Sequence, residues 1–323
     1  MGDRSLVLYR TVGLGMTAFS RLRFDVHVEG RLTLAPGTLY VVTHRSNLDT
    51  PLLCGAVFPK INRAGRDLPW FVVRDDLLLA GFPAHVVPGR LPLRLGIGRI
   101  LERSLRCLAL RPATRMRVVE LARDDPTLPL EALPNAAAFA LRADSKGWRR
   151  PQLVRDVLRS GNADLLWQMV ERDEAPEPAS AWTQRLADAK RDLERVVGLM
   201  RSGESILLSP EGTPSRDGSV GPLQRGVGLL VRRGRPRRVV PIGLAYDPLG
   251  RGRMRGHVRI GEPVDPPTRD VEEALHVLLR RTLPHTDGAA RAYAYRHGPA
   301  GVPPPGPPEL LDRLCREYES AIV

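Results

Sequence analysis

The chain reads as an α/β protein: a sandwich of a largely parallel sheet with helices on both faces, plus a helical insertion. Three observations predict it. Short apolar runs that end in polar loops recur along the chain, helix-like stretches fall between them, and one long polar segment interrupts the alternation. With 323 residues, 42% of them hydrophobic, the chain can bury one substantial core and still carry an appended part.

Residues 6–20, LVLYRTVGLGMTAFS, are too short to span a bilayer and are interrupted by Arg10. As a helix they place Leu8, Val12, Met16 and Phe19 on one face, with Arg10, Arg21 and Arg23 set to meet lipid headgroups. Packing of this helix on its own domain is the equal alternative. Residues 1–22 are therefore read as an N-terminal amphipathic segment. Phe24, Val26 and Val28 alternate with Asp25, His27 and Glu29, which predicts a half-buried strand ended by Gly30. Leu39 to Thr43 is short and apolar throughout, as a buried strand should be. Thr50 and Pro51 look like an N-cap and first helical residue. Trp70 to Val73, Leu105 to Leu110, Ser205 to Leu208 and Val239 to Ala245 are further strand candidates, and residues 223–233 a helix.

From about 115 to 200 the chain is polar, with helical patterning at 152–171 and 181–201 around the linker RDEAPEPAS. This is read as an insertion into a main domain spanning 23–283. Residues 298–308, GPAGVPPPGPP, suit only an extended spacer, so 284–323 reads as a Pro-rich tail with a helix at 309–321.

The net charge of +13, nearly all of it arginine, implies attraction to anionic lipid, a phosphorylated substrate or nucleic acid. The densest run is Arg232, Arg233, Arg235, Arg237 and Arg238, followed by Arg251, Arg253, Arg255 and Arg259. Only Tyr246 supplies an aromatic ring there, so no nucleic-acid partner is expected, whereas an anionic membrane surface fits. Cys54, Cys107 and Cys315 are widely spaced, without a CxxC pair, which argues against a disulfide framework or zinc site and for a reducing compartment. There is no GxSxG and no GK[ST]; Gly96-Ile97-Gly98 lacks the rest of a dinucleotide fingerprint.

Two stretches carry chemistry. In VVTHRSNLDT an apolar run delivers His44, and Asp49 follows five residues later, where a strand-to-helix turn can fold the carboxylate back onto the imidazole. In ILLSPEGTPSRDG a second apolar run delivers a glycine-containing loop with Glu211, Gly212, Thr213, Ser215 and Arg216. Both loops follow the carboxyl ends of predicted strands, where open α/β sheets bind ligands.

His44 to Asp49 resembles the HxxxxD block, and Ser209 to Thr213 the PEGT block, of the glycerolipid acyltransferases, which include glycerol-3-phosphate and 1-acylglycerol-3-phosphate acyltransferases. Val240-Pro241-Ile242-Gly243 resembles the family's later VP block, and the order is the family's. The resemblance covers roughly residues 25–112 and 203–262. It implies His44 as general base and Asp49 as its orienter, with Arg45, Glu211, Gly212 and Thr213 at the substrate. Arg111 and Arg216 would take the acceptor's phosphate, Arg216 because Pro214 stands where the family commonly has arginine. No cofactor is expected; acyl-CoA or acyl carrier protein would be co-substrate. The implied acceptor is 1-acylglycerol-3-phosphate, with glycerol-3-phosphate or another lysophospholipid as rivals and an inactive lipid-binding relative as the alternative of a different kind. The expected location is the cytoplasm, peripherally on the inner face of the membrane.

Overall fold

The computed structural model describes residues 3–45, 49–61, 68–74, 106–117, 127, 169–172, 179–212, 219–247 and 253–284. The chain divides into two compact units. The first comprises Met1–Val73, Glu102–Leu108 and Arg195–Val323, the second Arg74–Leu101 and Ala109–Glu194. The elements run α1 (Asp3–Arg23), β1 (Phe24–Glu29), β2 (Thr38–Val42), α2 (Asp49–Ile61), β3 (Trp70–Arg74) and β4 (Cys107–Leu110). There follow β5 (Arg115–Arg117), β6 (Met169–Glu171), α3 (Ala179–Arg201), β7 (Ile206–Leu208), α4 (Arg225–Gly234), β8 (Arg238–Asp247), β9 (Met254–Ile260) and α5 (Val271–Thr282).

Seven strands form one sheet in the order β1-β9-β8-β2-β7-β3-β4. β8, β2, β7 and β3 are mutually parallel, β9 runs antiparallel to β8, and β1 is parallel to β9. The expected mixed α/β architecture with a mostly parallel sheet is the one found. β2 lies between two parallel neighbours and all five of its residues are buried, which is why it reads as an unbroken apolar run rather than an alternation.

Alternation along the strands sends each helix group to its own face. Tyr40 and Val42 of β2, with Val240, Ile242, Leu244 and Tyr246 of β8, share a buried cluster with Tyr9 of α1 and Leu52 and Leu53 of α2. The intervening Gly243 faces the other way, where a Cβ would stand 2.3 Å from the carbonyl oxygen of Thr282 at the end of α5. Helices therefore cover both faces. α1 docks on α2 through Tyr9, Gly13, Thr17 and Ser20, and the Thr17 hydroxyl lies 3.3 Å from the Cys54 carbonyl oxygen. Small and hydroxyl-bearing residues on this stripe let the helices approach closely.

Four sequence expectations change. Among the described side chains of α1 the large apolar ones that are exposed are Val7, Leu14, Phe19 and Leu22, whereas Met16 packs against the core. The docking stripe, not the most hydrophobic stripe, decides which side turns inward. β9 was not anticipated, since its arginines conceal a period-two pattern: Gly256, Val258 and Ile260 are buried while Arg255, His257 and Arg259 are not. In the second unit, Met169–Glu171 pairs antiparallel with Arg115–Arg117, so the last three residues of the stretch 152–171 expected to be helical form a strand. Helix α2 begins at Asp49, one residue before the expected cap. The tail helix at 309–321 and the spacer before it lie outside the described residues.

Gly243→Ala tests the packing of α5 on the sheet. Its methyl group meets main chain, which cannot rotate away, so the variant should lose about 1–3 kcal/mol in chemical denaturation.

Candidate functional site

Register builds the site. β2 and β7 pair in parallel as Leu39↔Ile206, Tyr40↔Leu207 and Val41↔Leu208. The same offset of 167 residues, carried past the strand ends, sets His44 opposite Glu211, and the two are in contact. Thr43 is the last β2-side residue held to the sheet: its N–H donates to the Ile242 carbonyl at 3.0 Å, and its hydroxyl accepts from the Leu244 N–H at 2.8 Å. The chain then turns into α2, bringing Asp49 back to His44.

His44 Nδ1 lies 2.8 Å from Asp49 Oδ2. With a carboxylate as partner, Nδ1 carries the proton, leaving the Nε2 lone pair free to accept one. The imidazole is 22% exposed, so a reactant can reach it, whereas Asp49 is nearly buried. Oδ2 of Asp49 also accepts the Arg45 N–H at 2.7 Å, and Oδ1 accepts the Tyr246 hydroxyl at 2.7 Å. Three donors thus fix the carboxylate, and through it the ring.

Glu211 is 2% exposed. Its Oε1 accepts the His44 N–H at 2.7 Å and its Oε2 the Gly221 N–H at 2.8 Å. Burial raises its pKa above the usual glutamate value, opposed by those two N–H bonds and by the nearby charges of Arg45 and His44. Gly212 sits at φ +74°, where a β-carbon would be strained and would also meet the Gln224 side chain at 3.0 Å. The turn it makes allows Gln224 to cap the loop, with its N–H on the Pro210 carbonyl at 2.8 Å and its side-chain amide on the Glu211 carbonyl at 3.2 Å.

The remaining expected residues are Arg45, Arg111, Thr213 and Arg216. The Arg45 side chain is buried and donates to the Ser219 carbonyl, so it points into the protein. Arg111 belongs to the second unit, where Nε donates to Asp192 Oδ2 at 2.8 Å and a terminal nitrogen pairs with Asp188. Thr213 and Arg216 lie outside the described residues. The arginine run splits: Arg238 pairs with Thr38 at the start of β2, roughly 20 Å from His44 by strand rise, while Arg255 pairs with Asp247 at the end of β8 nearer the site. Cys54 is buried and its thiol is pushed up to about 12, chiefly by burial, so it is no nucleophile at neutral pH.

No family model matches the chain, and no curated protein matches it in sequence. A solved structure is similar in shape. It is the crystal structure of the 1-acyl-sn-glycerophosphate acyltransferase PlsC from Thermotoga maritima, 17% identical, with 91% of this chain and 83% of that chain covered and a TM-score of 0.44.

Sequence reasoning missed Tyr246, Gly221 and His276. Tyr246 is an even-numbered residue of β8, on the same face as Leu244, and its position five residues beyond Pro241 was the available signal. Nothing local marks the other two, because their role comes from partners far along the chain. Among the described residues no cluster of three or more His, Cys, Asp or Glu side chains could hold a metal ion.

Two outcomes follow. Tyr246→Phe keeps the ring packed against Phe24, at 5.8 Å between centroids, but removes the bond to Asp49. It should cost about 1.5–3 kcal/mol, the range for hydrogen bonds to charged groups, read by chemical denaturation. Glu211 binds its proton more tightly folded than unfolded, so its contribution to stability falls as pH rises from its ordinary 4.5 through its raised pKa. The unfolding free energy of the protein minus that of Glu211→Gln should therefore decline with rising pH across that window.

Proposed function

We propose that the protein is an O-acyltransferase that moves a fatty acyl group from acyl-CoA or acyl carrier protein to a hydroxyl of a phosphate-bearing glycerolipid acceptor, in the first place 1-acylglycerol-3-phosphate. The observation that carries this reading is the His44–Asp49 contact of 2.8 Å, joined through the His44 main chain to Glu211. The two sequence blocks that resemble the glycerolipid acyltransferases thus meet at one end of the sheet.

In the proposed reaction, His44 Nε2 takes the proton of the acceptor hydroxyl as its oxygen attacks the thioester carbonyl. The tetrahedral oxyanion collapses, the C–S bond breaks, and the imidazolium returns its proton to the leaving thiolate, giving an ester and a free thiol. Asp49 stabilises the imidazolium and holds its orientation, as the carboxylate does in a Ser-His-Asp triad. Arg216 is the preferred contact for the acceptor's phosphate. Arg111 is opposed by two carboxylates and presents little net charge to an anion, and Arg45 is directed inward.

A membrane surface is the proposed source of the acceptor. α1 turns Val7, Leu14, Phe19 and Leu22 outward, and its last turn meets Arg253 at the end of the sheet where His44 lies. Among the described residues no helix is long and apolar enough to cross a membrane. Peripheral attachment to an anionic inner leaflet fits both features.

Incubation with labelled acyl-CoA or acyl carrier protein and each acceptor should give product with 1-acylglycerol-3-phosphate. No product with any donor or acceptor would leave the lipid-binding alternative. His44→Ala should lower turnover by about 10²–10⁴, and turnover equal to that of the unaltered protein would overturn its assignment as base. For the membrane, replacing Leu14 and Leu22 by Glu should weaken partition onto anionic vesicles by about tenfold per residue, because each loses the transfer energy of a leucine. The unfolding midpoint should stay unchanged, since neither residue is on the docking stripe.

A further inference from the structure

One peptide group links α5 to the site. The carbonyl of Val220 accepts a hydrogen bond from His276 Nε2 at 3.0 Å, and the N–H of the same peptide unit, that of Gly221, donates to Glu211 Oε2 at 2.8 Å. The other oxygen of Glu211 holds the His44 N–H at 2.7 Å. Ser219, one residue earlier, has its carbonyl on the Arg45 guanidinium. Three consecutive residues are thus held by side chains from three places: the loop after β2, the loop after β7, and α5. His276 lies outside every block that resembles the acyltransferases.

We propose that His276 is a positioning residue for the site, acting through the Val220–Gly221 peptide on Glu211 and through Glu211 on the main chain of His44. Donation to a carbonyl draws electron density through the amide and makes its N–H a stronger donor, so the three bonds reinforce one another. The direction is set by chemistry: Val220 presents a carbonyl, so Nε2 must be protonated, and Glu211 accepts at both oxygens. Both carboxylate oxygens face main-chain donors and the side chain is 2% exposed. Glu211 therefore serves as a post beneath His44 rather than as a contact to substrate. α5 is itself fixed by packing, with Val271, Leu275 and Leu279 buried, so His276 delivers a rigid reference to the loop.

The consequence for turnover rests on the acyl-transfer reading; the consequence for the hydrogen bonds does not. The test uses the full chain with His276→Ala and His276→Gln, since the glutamine amide nitrogen reaches about as far as Nε2 and restores a donor. Amide hydrogen exchange read residue by residue should quicken about tenfold at Gly221 and His44 in His276→Ala, and return to within about threefold in His276→Gln. Exchange in β8 and α2 should stay unchanged, which separates a local effect from general loss of stability. Turnover should fall about tenfold in His276→Ala with KM little altered, and recover in His276→Gln. Unchanged protection at Gly221 and His44 in His276→Ala would overturn the proposal, as would quickened exchange that His276→Gln fails to restore. Should the unaltered protein transfer no acyl group, the acyl-transfer reading falls while the exchange measurement still decides the role of His276.

Discussion

The Glu211 carboxylate sits in the interior between two main-chain N–H groups, and the arrangement of the site depends on it. A buried carboxylate without partners is costly enough that the group would take up a proton instead. Bonds from the His44 and Gly221 N–H groups, with the charge of Arg45 nearby, oppose that cost. In return the carboxylate ties the loop after β2 to the loop after β7 and to residue 221. Two loops that hydrogen bonding within the sheet no longer constrains are so held in a single arrangement.

A second layer of the same logic surrounds Asp49. It takes one donor from the ring it orients, one from the main chain beside that ring, and one from Tyr246 on β8. Tyr246 packs against Phe24 at the junction of α1 and β1. The end of α1, the strand that follows it and the imidazole thus form one connected set of contacts.

How much of this was legible in the chain varies by element. β1, β2, β3, β4, β7 and β8 were visible because their burial depends on local pattern: alternation in Phe24, Val26 and Val28, and unbroken apolarity in the β2 run. β9 was obscured because arginine on an exposed strand face looks the same as arginine in a basic loop, and only the buried Gly256, Val258 and Ile260 tell them apart. On α1, hydrophobicity alone grouped Met16, which packs against the core, with Phe19, which is exposed. Close helix approach selects small residues, and a stripe containing Gly13, Thr17 and Ser20 is less hydrophobic than the side that stays in solvent.

His44 and Asp49 could be paired from sequence, since a strand-to-helix turn closes a five-residue gap by local geometry. Glu211 could be named but not given its partner, and its inward role was not apparent. The contact with His44 spans 167 residues and exists because β2 and β7 are parallel neighbours in one register. The partners of Tyr246 and His276 could not be named for the same reason: Asp49 and Val220 are 197 and 56 residues away. By itself the sequence determined most strands of the main sheet, the loops after β2 and β7 and the reactive residue types, because these follow from periodicity and side-chain chemistry over a few residues. Only the tertiary structure decided which loops stand side by side, which carboxylate meets the imidazole and which meets main chain alone, because strand order and register are settled by packing the whole sheet at once.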